Sequence, residues 1–170
     1  MYKVVYGFIC HNCQLLLAQR VRLPYEQVNQ TTSQAAKKIE DTADQLIGEV
    51  KRSYSVNKQL SDDLLNTLSF FFQSPLLPAL ELIEKSSVYH VTSPSGRSLY
   101  QVIGASGTPY TCFPGLKYCS CPAYQFSVLR KDTHMLCKHV LALRLAEAMD
   151  KLKPLSVSDT EIASMITDID

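Results

Sequence analysis

Tyr118-Cys-Ser-Cys-Pro-Ala-Tyr-Gln-Phe-Ser-Val-Leu-Arg130 and, a short step further on, Leu136-Cys-Lys-His-Val-Leu-Ala142 hold the residues on which the fold turns. In an extended chain, side chains two positions apart point the same way, so Cys119 and Cys121 can turn both sulfurs to one point. Pro122 favours this, because it biases the residue before it toward extended geometry. Cys137-Lys-His139 is the second pair. Residues two apart on a regular helix point in nearly opposite directions, so Cys137 is expected just before a helix and His139 in its first turn. Three thiolates and one imidazole fill a tetrahedral zinc shell and leave no position for water, which marks a structural ion and not a catalytic one. One zinc per chain is expected. Cys112 and His134 stand close enough in sequence to substitute for a cysteine and for His139. A lone cysteine on a strand, however, usually serves as a small buried hydrophobe, and His134 lies in the polar run Lys131-Asp-Thr-His.

Outward from these pairs the hydrophobic period changes. Val88-Tyr-His-Val-Thr and Leu99-Tyr-Gln-Val-Ile alternate as strands do, around the turn signal Ser93-Pro-Ser-Gly96. Tyr110-Thr-Cys-Phe and Leu116-Lys-Tyr-Cys are two further strand candidates. From Cys137 to Lys151 the pattern is helical, with Val140, Leu141, Leu145 and Met149 apolar, and Pro154 stops it. Ser158-Asp-Thr-Glu161 is a capping-box pattern that opens a last short helix through Ile166.

Toward the N-terminus the sequence reads as helices. Ala36, Ile39, Ala43, Leu46 and Val50 recur at alternating steps of three and four, a heptad seam on a helix over 34–52 and a candidate partner surface. Ser61 is a good N-cap for a second helix, with Asp62 and Asp63 in its first turn. Leu64, Leu65, Leu68, Phe70, Phe71 and Phe72 make that helix apolar almost all round, so most of its sides need cover. Ser74-Pro75 resembles a cap and first-turn proline for a third helix. Residues 1–33 read as a poorly integrated extension: a strand-like Lys3 to Cys10, a helix-like Gln14 to Val21, then Pro24 and the polar run Gln27 to Ser33. Cys10 and Cys13 are read as unbound thiols, since no second pair of ligands is near. The expected organisation is an extension over 1–33, helices over 34–87, strands and finger over 88–153, and a tail with a short helix over 154–170. The fold class is α+β: N-terminal helices, a small antiparallel sheet and a zinc-pinned C-terminal helix in a ββα finger.

Cys-x-Cys, a spacer, Cys-x-His and then Ala three residues later, here Cys119, Cys121, Cys137, His139 and Ala142, resembles the SWIM-type zinc finger. Ala142 lies one helical turn past His139, where a small side chain allows close packing. The residues flanking both pairs most resemble the SWIM subunits of Shu-type recombination complexes, with the likeness running over roughly 35–150. That resemblance implies a nuclear, non-catalytic subunit in homologous-recombination repair of DNA damage. It implies pairing with a RecA-like recombinase paralogue and support of recombinase filaments on single-stranded DNA.

The rest of the composition is consistent with a module of this kind. The chain has 170 residues, a formal net charge of +1 and six cysteines. No run of about 18 apolar residues suggests a membrane span, and Met1 to Cys10, carrying Lys3, does not read as a signal peptide. Cysteines clustered near a histidine in such a chain favour metal over disulfide and a reducing compartment. Gly104-Ala-Ser-Gly107 lacks the Lys-Ser/Thr of a phosphate loop, and no catalytic residue is expected. His90 is read as structural. Direct binding of single-stranded DNA is the second reading. Between Lys117 and Lys153 the bases outnumber the acids by four, or by three once zinc and three thiolates are counted. Arg130, Lys131 and Lys138 are the candidate phosphate contacts, and Tyr118, Tyr124 and Phe126 the candidate stacking residues.

Overall fold

Helix α1 (Tyr25–Asn57) opens the described part of the computed structural model, which covers residues 25–113, 115, 117–131 and 134–167, with side chains from residue 34 onward. The calls on Lys3 to Cys10, Gln14 to Val21, Cys10 and Cys13 lie outside the described residues. The helix begins earlier than its apolar seam: the polar run Gln27 to Ser33 is helical, and no Pro or Gly interrupts the chain from Tyr25 to Ile47. Two units divide the chain, Met1–Asp41 and Thr42–Asp170. In the first, the side chains from Gln34 to Asp41 are exposed. The second holds all the rest. Among the described residues no helix is long and apolar enough to cross a membrane.

In the second unit, α2 (Asp62–Phe72) starts on Ser61, whose hydroxyl accepts from the Leu64 N–H at 3.3 Å. Its apolar residues are not all covered. Leu64, Leu68 and Phe72 form a buried stripe, while Phe70 is 86% exposed. Next comes α3 (Leu76–Glu84), which buries Leu76, Ala79, Leu82 and Ile83. Pro75 is its N-cap, and Ser74 does not cap it: the Ser74 hydroxyl instead bonds His134 Nε2 at 2.9 Å.

Five strands follow: β1 (Val88–Thr92), β2 (Ser98–Ile103), β3 (Pro109–Phe113), β4 (Tyr118–Cys119) and β5 (Lys153–Ser156). Their order is β4-β3-β2-β1-β5. Three pairings are antiparallel, but β5 runs parallel to β1, with Val91 opposite Leu155. The sheet is therefore mixed and not purely antiparallel, and the tail expected from residue 154 begins as a strand. The helix before it ends at Ala148, well short of Pro154, in a turn where Asp150 takes φ +55° and the Lys151 N–H bonds Ala146 O at 2.8 Å. Pro154 itself lies in the strand, and proline is tolerated on an edge strand, where one flank needs no donor. In the first hairpin turn Gly96 takes φ +81°, and its N–H bonds Ser93 O at 3.0 Å, a conformation glycine adopts without steric cost.

Helix α4 (Lys138–Ala148) supplies the long crossover that a parallel pair requires. It is buried on nearly every side, from Val140 to Leu143 and again at Leu145 and Ala146, because α3 packs on it and the sheet touches it through β1 to β4. The opposite sheet face holds a smaller cluster, Val91, Leu99 and Ile162, the last from α5 (Asp159–Thr167).

Candidate metal centre

The second ligand pair sits where helix geometry requires. Cys137 is the N-cap of α4, extended at φ −76°, ψ 161°, and its carbonyl accepts the Leu141 N–H at 3.0 Å. His139 is the second residue of that helix. The first pair comes from the sheet. Cys119 ends β4, opposite Cys112, and Ser120 extends the ladder by donating its N–H to Thr111 O at 3.0 Å. Ser120 thus faces away while Cys119 and Cys121 turn the same way. After Cys121 the chain closes a tight turn, with the Tyr124 N–H 3.3 Å from Cys121 Sγ and 3.0 Å from Cys121 O.

The structure brings Cys119, Cys121, Cys137 and His139 together, all buried, with one ligand atom of each within 4.8 Å of the others. Cys119 Sγ is 3.8 Å from His139 Nδ1. A tetrahedral ion with bonds of about 2.0–2.3 Å holds its ligands at about that separation. His139 Nε2 is buried with no hydrogen-bond partner. A cation held by the three sulfurs and His139 Nδ1 accounts for the convergence of these groups, and sulfur with imidazole in four-fold array suits zinc.

Proton affinities within the cluster agree. The Cys121 thiol is held far below its ordinary range by hydrogen bonds from Cys119 and then Cys137, and in addition by the Tyr124 N–H. Cys119 is pushed up, first by the Cys112 thiol and then by Cys121. Cys137 is pushed up by Cys119 and Cys121. Zinc supplies the charge that lets all three ionise, and its binding therefore releases protons.

Neither substitute ligand joins the group. Cys112 lies across the ladder from Cys119, completely buried, with its Sγ 3.9 Å from Tyr110 O. His134 pairs with Ser74. Tyr110, two residues before Cys112 and on the same sheet face, stacks on His139 with ring centroids 4.4 Å apart. Sequence reading passed over this contact, although the strand alternation Tyr110, Cys112 carried its signal. Ala142 is fully buried.

Cys3His ligation from a β-edge and a helix start, with the motif alanine in the packed interior, decides the family. A SWIM zinc finger model matches residues 110–146. The protein from Danio rerio described as zinc finger SWIM domain-containing protein 7 is 45% identical over 125 residues, covering 74% of this chain and 89% of that protein. Its counterpart in Homo sapiens is 41% identical over 123 residues, covering 72% and 88%. The Dictyostelium discoideum homolog is 37% identical, covering 65% and 72%. The chain belongs to the SWIM zinc-finger family. No solved structure matches significantly. This SWIM module binds zinc.

A segment without counterpart in the sequence reading joins the two ligand pairs of the SWIM finger. Tyr124–Arg130 is π-helical, and the Lys131 N–H reaches back to Phe126 O at 3.0 Å. Tyr124 is buried, edge-on to the half-buried Tyr118 with ring centroids 5.4 Å apart, so of the three aromatics proposed for stacking only Phe126 is exposed. Arg130 and Lys131 are exposed, with Lys131 Nζ 4.5 Å from the Phe126 ring centre, and Lys138 is half-buried. The basic set is smaller than the count of charges, because Arg144 pairs with Asp44.

The heptad seam is also divided. Ala43 and Val50 are buried and Leu46 packs on the core, because the second unit uses that half of the helix for itself. Only Ala36 and Ile39 lie open, Ile39 at 51%.

Proposed function

We propose that this chain is the non-catalytic zinc-finger subunit of a Shu-like complex. In that role it pairs with a RecA-like recombinase paralogue in the nucleus and supports recombinase filaments during repair of DNA by homologous recombination. The observation that carries the non-catalytic part is the closed donor set, three sulfurs and a nitrogen, with no open position at which zinc would activate water. The likeness of the ligand flanks to Shu-type SWIM subunits supports the pairing. Co-expression with RecA-like paralogues of the same organism tests it. A stable soluble complex with one of them is expected, as is loss of recombinase foci after DNA damage when the chain is depleted. Absence of any such complex would end the reading.

Direct binding of single-stranded DNA is favoured by one observation, the exposed Phe126, Arg130 and Lys131 on a single segment. Arg130→Ala with Lys131→Ala is expected to lower both affinity and its salt slope, each lost phosphate contact removing about 0.7 from the slope on single strands. Tight binding indifferent to salt would rule out these contacts.

A further inference from the structure

Between α3 and the zinc finger lies a groove of about 160 Å³ whose walls include Pro75 and Pro78 on one side and Ala123 and Leu136 on the other. Its lining is apolar apart from a few groups, among them His134 and Lys138, and no carboxylate lines it among the described residues. An apolar groove of this kind suits one large apolar side chain of a partner, the pocket that an interface hot spot fills.

We infer that this groove is where the RecA-like partner docks. The inference rests on the pairing proposed above and assigns it a place. The occupant is a partner segment that inserts one side chain of leucine or phenylalanine size and sets an Asp or Glu beside it, facing Lys138 and His134. Charge decides the chemistry of that segment: every described ionisable group in the lining other than the metal ligand Cys137 is basic, and Arg130 and Lys131 add exposed positive charge on the same finger. Such a rim steers an acidic segment and rejects a basic one. Nucleic acid fits less well, since among the described residues the lining has no Phe, Tyr or Trp ring on which a base could stack. Metal and partner are also linked. Cys137 is both a zinc ligand and part of the groove wall, so the docking surface exists only while the ion holds the start of α4.

The test uses the full chain in complex with the paralogue that co-purifies with it. Ala123→Arg fills the groove, and Lys138→Glu reverses its charge without filling it. Both variants are checked for one zinc per chain and for an unchanged melting temperature. If Ala123→Arg fails that check, Lys138→Glu alone decides. Each folded variant is expected to raise the dissociation constant at least tenfold. Binding within twofold of the parent chain overturns the groove assignment and leaves the pairing intact, whereas a parent chain that binds no paralogue removes the pairing itself. A folded variant that loses single-stranded DNA or self-association while keeping the partner also overturns the assignment, giving the groove to that ligand.

Discussion

The two faces of the sheet are held by different physics. One face packs against α4 and the helical layer, and at its edge sits the zinc cluster, where Cys119 from β4 and His139 from α4 share one ion. The other face carries α5, held through a cluster in which Val91, Leu99 and Ile162 are the buried residues. Around that small cluster lie polar contacts at the surface: Asp159 accepts from Ser95, and Ser158 and Glu161 cap each other. A metal–ligand set fails as a unit, because the loss of one ligand leaves the others without a reason to stay together. Capping contacts fail one at a time, and each is small. The finger face is therefore expected to be all-or-none and the α5 face graded.

Metal removal should have the largest effect. Structural zinc in finger peptides is worth about 10–16 kcal/mol, against about 5–15 kcal/mol for the stability of a whole domain. Chelation, or Cys137→Ser, is expected to unfold at least residues 110–150, read by loss of amide protection there together with loss of zinc by metal analysis. A chain that stays folded over β3 to α4 with its zinc gone would show that the sheet face can be held by apolar packing alone.

Gly104→Ala should act on the same face at one remove. A Cβ at Gly104 would stand 2.8 Å from Tyr110 Cε2 and 3.4 Å from Thr108 O. The Tyr110 ring has little room to retreat, because it stacks on His139. Overpacking of this kind costs about 1–3 kcal/mol. Here part of the strain should reach the ligand, seen as faster zinc loss to a chelator and an altered spectrum of the cobalt-substituted protein. A lowered melting temperature with unchanged metal exchange would separate Tyr110 from His139.

The difference between the faces also explains what could be read from sequence. The ligand set was legible because paired short spacings around a strand and a helix start leave few alternatives, and Ser158 to Glu161 was legible because a capping box is local. The π-helical turn at Tyr124–Arg130 was not, since its hydrogen bonds follow from the need to bring Cys121 and Cys137 to one point and not from local propensity. Strand β5 was missed because Pro154 signals a break, and only a neighbouring β1 with a free edge turns the following residues into a strand. The seam on α1 was read as one surface, yet Ala43 and Val50 are buried while Ile39 is exposed. Periodicity gives a face, and tertiary packing decides how much of its length is covered.

The smallest expected effect belongs to the cap of α5. The Ser158 hydroxyl accepts the Glu161 N–H at 3.2 Å, and the Glu161 carboxylate accepts the Ser158 N–H at 2.8 Å and the Ser158 hydroxyl at 2.7 Å. Ser158→Ala should cost about 1 kcal/mol, the usual worth of an N-cap. The backbone N–H and hydroxyl of Ser158 lower the Glu161 carboxyl from its ordinary value, and bonds from Ser95 and Ser93 do the same for Asp159. A carboxyl whose folded value is depressed contributes stability above its unfolded value and loses it as pH falls through the folded one. The hold on α5 should therefore weaken on acidification through and below the ordinary carboxylate range. Glu161→Gln should remove Glu161's share of that dependence while leaving Asp159's. The readout is amide exchange in α5 at neutral and acid pH, with β1 and β2 as the internal reference. Since zinc ligation also weakens in acid, the comparison needs metal content followed in the same samples. Faster exchange in α5 while zinc stays bound would establish that the two faces release separately. Exchange in α5 that rises only when zinc is lost would mean that the cap adds nothing of its own and that the metal governs both faces.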